Sequence, residues 1–128
     1  MTNLKIEDIQ LVREYLALLE TVEEGLAYVV ASYSDLMKTE SDTVLMDVLL
    51  AFSSIIQTNQ VFESIFEQEG AIVNLVRDFS NVTNSAFQLE ENLLDRNIKF
   101  RIAKDNITPL FNAWKKEAQV VLGPLVAQ

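Results

Sequence analysis

Carboxylates are the side chains of this sequence whose spacing comes nearest to a catalytic pattern. Glu20 and Glu23 stand three residues apart with Glu24 beside them, and Glu90, Glu91 and Asp95 form a second group. Two helices offering Glu-x-x-Glu and Glu-x-x-Asp to a shared interior can hold Mg²⁺, a hard cation that takes oxygen ligands. The first half of that pattern is present in Glu20-Thr21-Val22-Glu23. The second half is not, because Glu91 and Asp95 lie four apart. The Glu20–Glu24 group also falls on the polar side of its helical repeat, so these carboxylates read as a solvated face. No metal and no other cofactor is expected.

Other chemistries lack their residues. The chain has no histidine and no cysteine. That removes the commonest general base, the commonest transition-metal ligand, thiolate nucleophiles and disulfides. Serines and threonines are left without an activating base. The three glycines stand apart, so no glycine-rich loop cradles a phosphate. Asn81-Val82-Thr83 and Asn106-Ile107-Thr108 match the glycosylation acceptor pattern. Without a secretory signal, and with Pro109 after the second, both read as chance. The chain is expected not to be an enzyme.

The elements carrying these residues are helices. Ile9, Val12, Leu16, Leu19, Val22, Leu26, Val29, Tyr33 and Leu36 recur at steps of three and four, one face of a helix over residues 6–37. Gly25 interrupts it at a cost of about 1 kcal/mol relative to alanine, which fits either close approach of a neighbouring helix or a tolerated surface glycine. A second helix spans 42–69, with Ser41 or Asp42 as its cap and Gly70 as its C-terminal stop. A third stripe runs through Ile72, Leu75, Val76, Phe79, Val82, Ala86, Leu89 and Leu93, giving a helix over 71–95. A fourth runs through Phe100, Ala103, Ile107, Phe111, Trp114, Ala118, Val121 and Leu125, giving a helix over 97–122. The reversal between them is placed at Asp95-Arg96-Asn97, since one unbroken helix would be about 77 Å long. Pro109 either kinks a continuous fourth helix or occupies the first turn of a fresh one capped by Asn106 or Thr108. The stripe keeps its phase across it, which favours the kinked helix. Gly123-Pro124 is expected to end it.

With short links, the four segments predict one all-α domain over residues 1–128, an up-down-up-down four-helix bundle. Its length of 128 residues and 49% hydrophobic content suffice for a substantial core. The N-terminus does not read as a signal peptide, and no uninterrupted apolar run approaches the roughly eighteen residues of a membrane span. A cytoplasmic location away from membranes is expected. Net charge is −9, with −10 over residues 1–70 and +1 over 71–128. Such a chain repels nucleic acid as well as anionic membranes.

The second helix is the one around which the others must be arranged. Val44 to Phe52 holds a single polar residue, Asp47, so it is apolar nearly all round and needs cover on several sides or a partner. Asp47, Ser54 and Thr58 mark its polar strip. Leu50 and Val61 flank that strip and are the apolar residues least able to reach the bundle centre, hence candidate partner contacts. Arg96, Lys99, Arg101 and Lys104 form a basic segment that either steers an acidic partner or neutralises acidic neighbours on the first two helices.

In size, acidity and helicity the chain resembles the small chaperones that serve flagellar and type III export. That likeness implies a protein-binding module that takes up a partner's amphipathic helix. A self-associating bundle is the second expectation. The third is a Mg²⁺-dependent hydrolase, because Glu20-x-x-Glu23 resembles half of the motif of the all-α nucleotide pyrophosphohydrolases. The Glu91–Asp95 spacing departs from that family.

Overall fold

The computed structural model describes residues 4–35 and 37–127. Helices α1 (Ile6–Ser32), α2 (Ser41–Ile65), α3 (Gly70–Asp78), α4 (Ser80–Glu90), α5 (Arg96–Arg101) and α6 (Thr108–Val126) follow in order, with a π-helical segment, Ile102–Ile107, joining the last two. There is no strand among the described residues. The six helices make four rods: α1, α2, α3 with α4, and α5 through α6. The protein is an all-α four-helix bundle.

Each rod departs from its predicted bounds for a local reason. α1 stops at Ser32, short of Met37, where hydroxyls and a carboxylate compete for the backbone. Ser32 Oγ donates to the Val29 carbonyl at 2.6 Å, and Asp35 Oδ1 accepts from the Met37 amide at 3.0 Å. Leu36, the last residue of the predicted stripe, lies outside the described residues. α2 begins at Ser41 with no side-chain cap, so neither Ser41 nor Asp42 plays the predicted part. α2 closes at Ile65 rather than Glu69, and Phe66 is fully buried just beyond it. Gly70 consequently opens α3 instead of stopping α2, and its φ is negative like that of every glycine described.

The third rod breaks at Phe79, and its second piece ends at Glu90 rather than at residue 95. α4 begins Ser80-Asn81-Val82-Thr83-Asn84-Ser85, residues of weak helix propensity. Two of its hydroxyls bond backbone carbonyls three residues back, Thr83 to Ser80 at 3.1 Å and Ser85 to Val82 at 2.6 Å. The fourth rod keeps helical backbone angles from Ile102 through Thr108. Its hydrogen bonds widen instead, and the Thr108 amide reaches the Ala103 carbonyl five residues back. The wide turn comes just ahead of Pro109, whose ring would press on the Asp105 carbonyl in a regular helix. Gly123-Pro124 does not end α6, which runs on to Val126 with Pro124 inside its last turn. There the missing amide leaves only the carbonyl of the exposed Val120 without its usual donor.

Aromatic rings hold the rods together. Phe79 is buried with its ring centroid 4.6 Å from Trp114 and 5.6 Å from Phe52. Tyr15 lies against Phe62 at 4.8 Å. Their polar tips are satisfied, as burial requires. Trp114 Nε1 donates to the Leu75 carbonyl at 2.9 Å. Tyr15 Oη donates to Asn59 Oδ1 at 2.5 Å, and Asn59 Nδ2 donates to the Val76 carbonyl at 3.4 Å. Burial pushes the Tyr15 phenol well above its ordinary range, outweighing the opposing effect of its hydrogen-bond partner Asn59. Tyr15 beside Asn59 and Gly25 beside Val48 show that α1 and α2 run antiparallel.

Gly25 marks the close approach on that seam. A Cβ there would stand 2.9 Å from Val48 Cγ2 and 3.5 Å from Val44 Cγ1. Val48 is β-branched and buried, so it cannot swing away. Overpacking of about 1–3 kcal/mol should therefore cancel or exceed the roughly 1 kcal/mol that alanine gains in a helix. Gly25→Ala is expected to leave the wild-type protein no more stable, or less so, in denaturant melts. In a Val48→Ala background the same change should stabilise by about 1 kcal/mol. Equal effects in both backgrounds would mean that the seam is not tight.

Candidate partner-binding groove

α2 is predicted to need cover on several sides, and it does not receive it all along its length. It packs closely on α1 and on α3. The break at Phe79 lets α4 follow a different line, chiefly against the π-helical segment and α6. Between the first half of α2 and α4 lies an open groove of about 350 Å³. Met46, Leu50 and Ile56 line it from α2, Phe87 from α4, and Leu93 from the following connection. All five are exposed large hydrophobics, Leu50 at 61% and Phe87 at 58%. Buried Phe52 and Ala86 lie between them at the floor.

The groove continues at both ends. Ile56 and Thr83 also border a shallow extension toward Glu63 and Arg77, which pair with each other at 2.9 Å. Leu93 also borders a hollow beside Ser41 and Asp42. α2 and α4 therefore face each other in opposite senses across it. From Met46 to Glu63 the face is about 25 Å long at 1.5 Å per residue, room for four to five turns of another helix.

Of the residues singled out from sequence, Leu50 lines this groove. Val61 is also exposed, at 45%, but borders neither the groove nor its extension. The basic segment lies on α5 and the π-helical turn, and none of its four cations lines the groove. Lys99 Nζ is 3.0 Å from Asp42 Oδ1, a neutralising pair to α2. Arg96 sits 4.6 Å over the Tyr33 ring and Lys104 5.4 Å over Phe100. Arg101 is exposed with no ion pair among the described residues. Met46, Ile56, Phe87 and Leu93 were missed by sequence reasoning. Phe87 directly follows the core residue Ala86 on α4, and an aromatic on the otherwise polar face was the available signal.

The carboxylates have a different use from the one expected. Lys115 Nζ of α6 reaches Glu20 Oε1 at 3.0 Å and Glu23 Oε1 at 3.2 Å, and Gln119 Nε2 donates to Glu20 at 2.9 Å. The Lys115 side chain is only 7% exposed while both glutamates are about half exposed. Glu20 and Glu23 are thus an interhelical clamp on an internal cation, not a freely solvated face. The ammonium engages both carboxylates of the half-motif. Among the described residues no group of three acidic side chains is gathered at a metal-binding spacing. Burial acts to lower the Lys115 pKa, but the bonds and charges of Glu20 and Glu23 together outweigh it and leave it raised above the ordinary lysine value.

A family model described as a domain of unknown function, DUF8042, matches residues 10–117. Among curated proteins, the uncharacterized protein YvzG of Bacillus subtilis (strain 168) is 36% identical over 66 residues. That alignment takes in 52% of this chain and 53% of YvzG, so the chain spans about half the length of that relative. No solved structure matches the chain.

Replacing Lys115 tests what holds it in place. Its partners are half solvated, so Lys115→Met should leave them hydrated and change stability by less than about 1 kcal/mol. Lys115→Glu would put a third carboxylate between two others and should cost about 3 kcal/mol or more. The raised pKa means that the ion pairs stabilise the fold fully below the unfolded lysine value near 10.4 and lose that contribution as pH rises through the folded value. Alkaline melts of the wild type should therefore fall relative to Lys115→Met. Parallel curves would refute the clamp.

Proposed function

The chain belongs to the DUF8042 family, and we propose that it is a non-enzymatic protein-binding module, adaptor- or chaperone-like, that receives an amphipathic helix of another polypeptide. The observation that carries this reading is the uncovered first half of α2. A bundle that had only to be stable would close α4 over Met46 and Leu50. Instead, five large apolar side chains border one concave strip. Contiguous exposed apolar surface of this kind marks interaction sites more often than single exposed aliphatics do. A helix laid in such a groove is anchored by apolar residues at three- and four-residue steps, the spacing that Met46 and Leu50 themselves present.

The non-enzymatic part rests on chemistry. No histidine or cysteine is present to act as base or nucleophile, and the one recognisable half of a metal motif is committed to Lys115. A cytoplasmic setting is consistent with a chain free of cysteine. α2 is long and apolar enough to cross a membrane by length and composition. Here it is a bundle helix, with Leu45, Val48, Phe52, Ile55, Asn59 and Phe62 turned into the core.

A 20-residue model peptide with leucines at i, i+3, i+4 and i+7 tests the reading. Titrated into the labelled protein, it should shift amide resonances along Met46–Ile56 and Thr83–Leu93. Leu50→Asp combined with Phe87→Asp should weaken binding at least about tenfold, each buried charge opposing the contact by more than 1.4 kcal/mol. Val61→Asp, equally exposed but off the groove, should bind as wild type. Both variants should keep the wild-type helical signal, because the changed side chains already face water. Shifts elsewhere on the surface, or binding untouched by the double substitution, would overturn the proposal.

A further inference from the structure

The groove is uneven in charge, and that unevenness bears on what enters it. Its walls are largely uncharged: Ser53 on α2, and Ser80 to Gln88 on α4, carry no ionisable side chain. At the far end Glu63 and Arg77 neutralise each other. At the near end the anions are left over. Glu90 lines the groove as the last residue of α4, Glu91 is its C-cap, and Asp47 stands one residue past Met46 on α2. All three are exposed, and none has a cation within ion-pair distance among the described residues. Lys99 pairs with Asp42, and Arg96, which borders a hollow with Glu90 and Glu91 without forming an ion pair to either, lies over the Tyr33 ring.

The backbone adds to the same sign. The C-terminus of a helix carries about half a negative charge from its free carbonyls and favours lysine or arginine in its last turn. The last turn of α4 has no basic residue and ends in two glutamates. This arrangement is mildly unfavourable to α4 by itself, and a cation from outside would relieve it.

We propose that the occupant of the α2–α4 groove is a basic amphipathic helix, apolar along one face and carrying lysine or arginine at the end that lies over Asp47, Glu90 and Glu91. The inference rests on the groove being a helix-binding site and adds to that reading the partner's charge and direction. The partner's N-terminus belongs at the acidic end, where its own partial positive charge meets the carboxylates. The helix then runs parallel to α2 and antiparallel to α4.

A second copy of this chain is the poorer occupant. Its net charge is −9, and its own exposed α2 would bring Asp47 toward the same carboxylates. An anionic bilayer meets the same repulsion. Electrostatics of this kind chiefly set partner choice and encounter rate, while the apolar floor holds the complex.

Two 20-residue peptides with one leucine face separate the possibilities, one carrying lysines in its first turn and the other glutamates there. Binding is read by fluorescence anisotropy at low salt against wild type, Glu90→Gln/Glu91→Gln, and a remote control, Glu14→Gln/Glu24→Gln, with the same change in net charge. The lysine peptide should bind wild type at least about tenfold more tightly than the glutamate peptide. That preference should shrink to about threefold or less in Glu90→Gln/Glu91→Gln and in 0.5 M salt, and persist in the remote control. Leu50→Asp should abolish binding of both peptides. If both bind alike and Leu50→Asp abolishes both, the groove stands and the basic-partner inference falls. An equal loss of preference in the remote control also sinks it, because net charge alone would explain the result. Binding that ignores Leu50→Asp removes the groove itself. Self-association of the free protein that Leu50→Asp disrupts, or attachment to vesicles of anionic lipid through Leu50, would assign the groove to another occupant.

Discussion

Phe79, wedged between Phe52 and Trp114, is the contact on which the rest of this structure depends. Its ring joins the second, third and fourth rods at the point where α3 gives way to α4. Trp114 is fixed in turn by its bond to the Leu75 carbonyl, one turn earlier on the third rod. The break therefore occurs where packing is densest, and the serine- and asparagine-rich start of α4 supplies a backbone able to yield there. Aromatic pairs of this kind contribute about 0.5–1.5 kcal/mol beyond the area they bury. A stiff core can hold a bent rod.

The course of α4 leaves Met46, Leu50 and Ile56 of α2 uncovered. With α4 on its own course against the π-helical segment and α6, the same residues border a groove. The wide turn at Ile102–Ile107 belongs to the same accommodation, since it precedes Pro109 on the rod that α4 packs against. Two local departures from regular helix thus shape one surface. The polar residues along it are two hydroxyls and a carboxylate, Ser53, Thr83 and Glu90.

Charge is divided between the inside and the outside of the fold. Lys115 is drawn under the surface between Glu20 and Glu23 and ties α6 to α1, while Lys99 ties α5 to the start of α2. These pairs use up basic residues of the second half of the chain against acidic ones of the first. Asp47, Glu90 and Glu91 are exposed at that end of the α2–α4 surface and form no ion pair among the described residues.

The sequence by itself determined the helical class, the hydrophobic stripes of the first, third and fourth rods and the lack of histidine and cysteine. Periodicity of three and four is a property of neighbours in the chain, so Val12, Leu19, Leu26, Val82, Leu89, Phe111 and Trp114 were legible as core, while the fourth stripe took Val121 and Leu125 where Leu122 is the fully buried residue. It also showed that α2 carried more apolar surface than one face could bury, and that Leu50 was the residue to watch. Helix ends were less legible, because Gly70 and Pro124 take roles fixed by what packs around them. Only the tertiary structure decided that Leu50 borders a groove and Val61 does not, and that Phe87 and Leu93 complete it. Only it brought Lys115, 92 residues from Glu23, between two carboxylates that alone read as a solvated face. Such pairings join residues far apart in the chain, and no local pattern encodes them; they follow from how the rods are bent and docked.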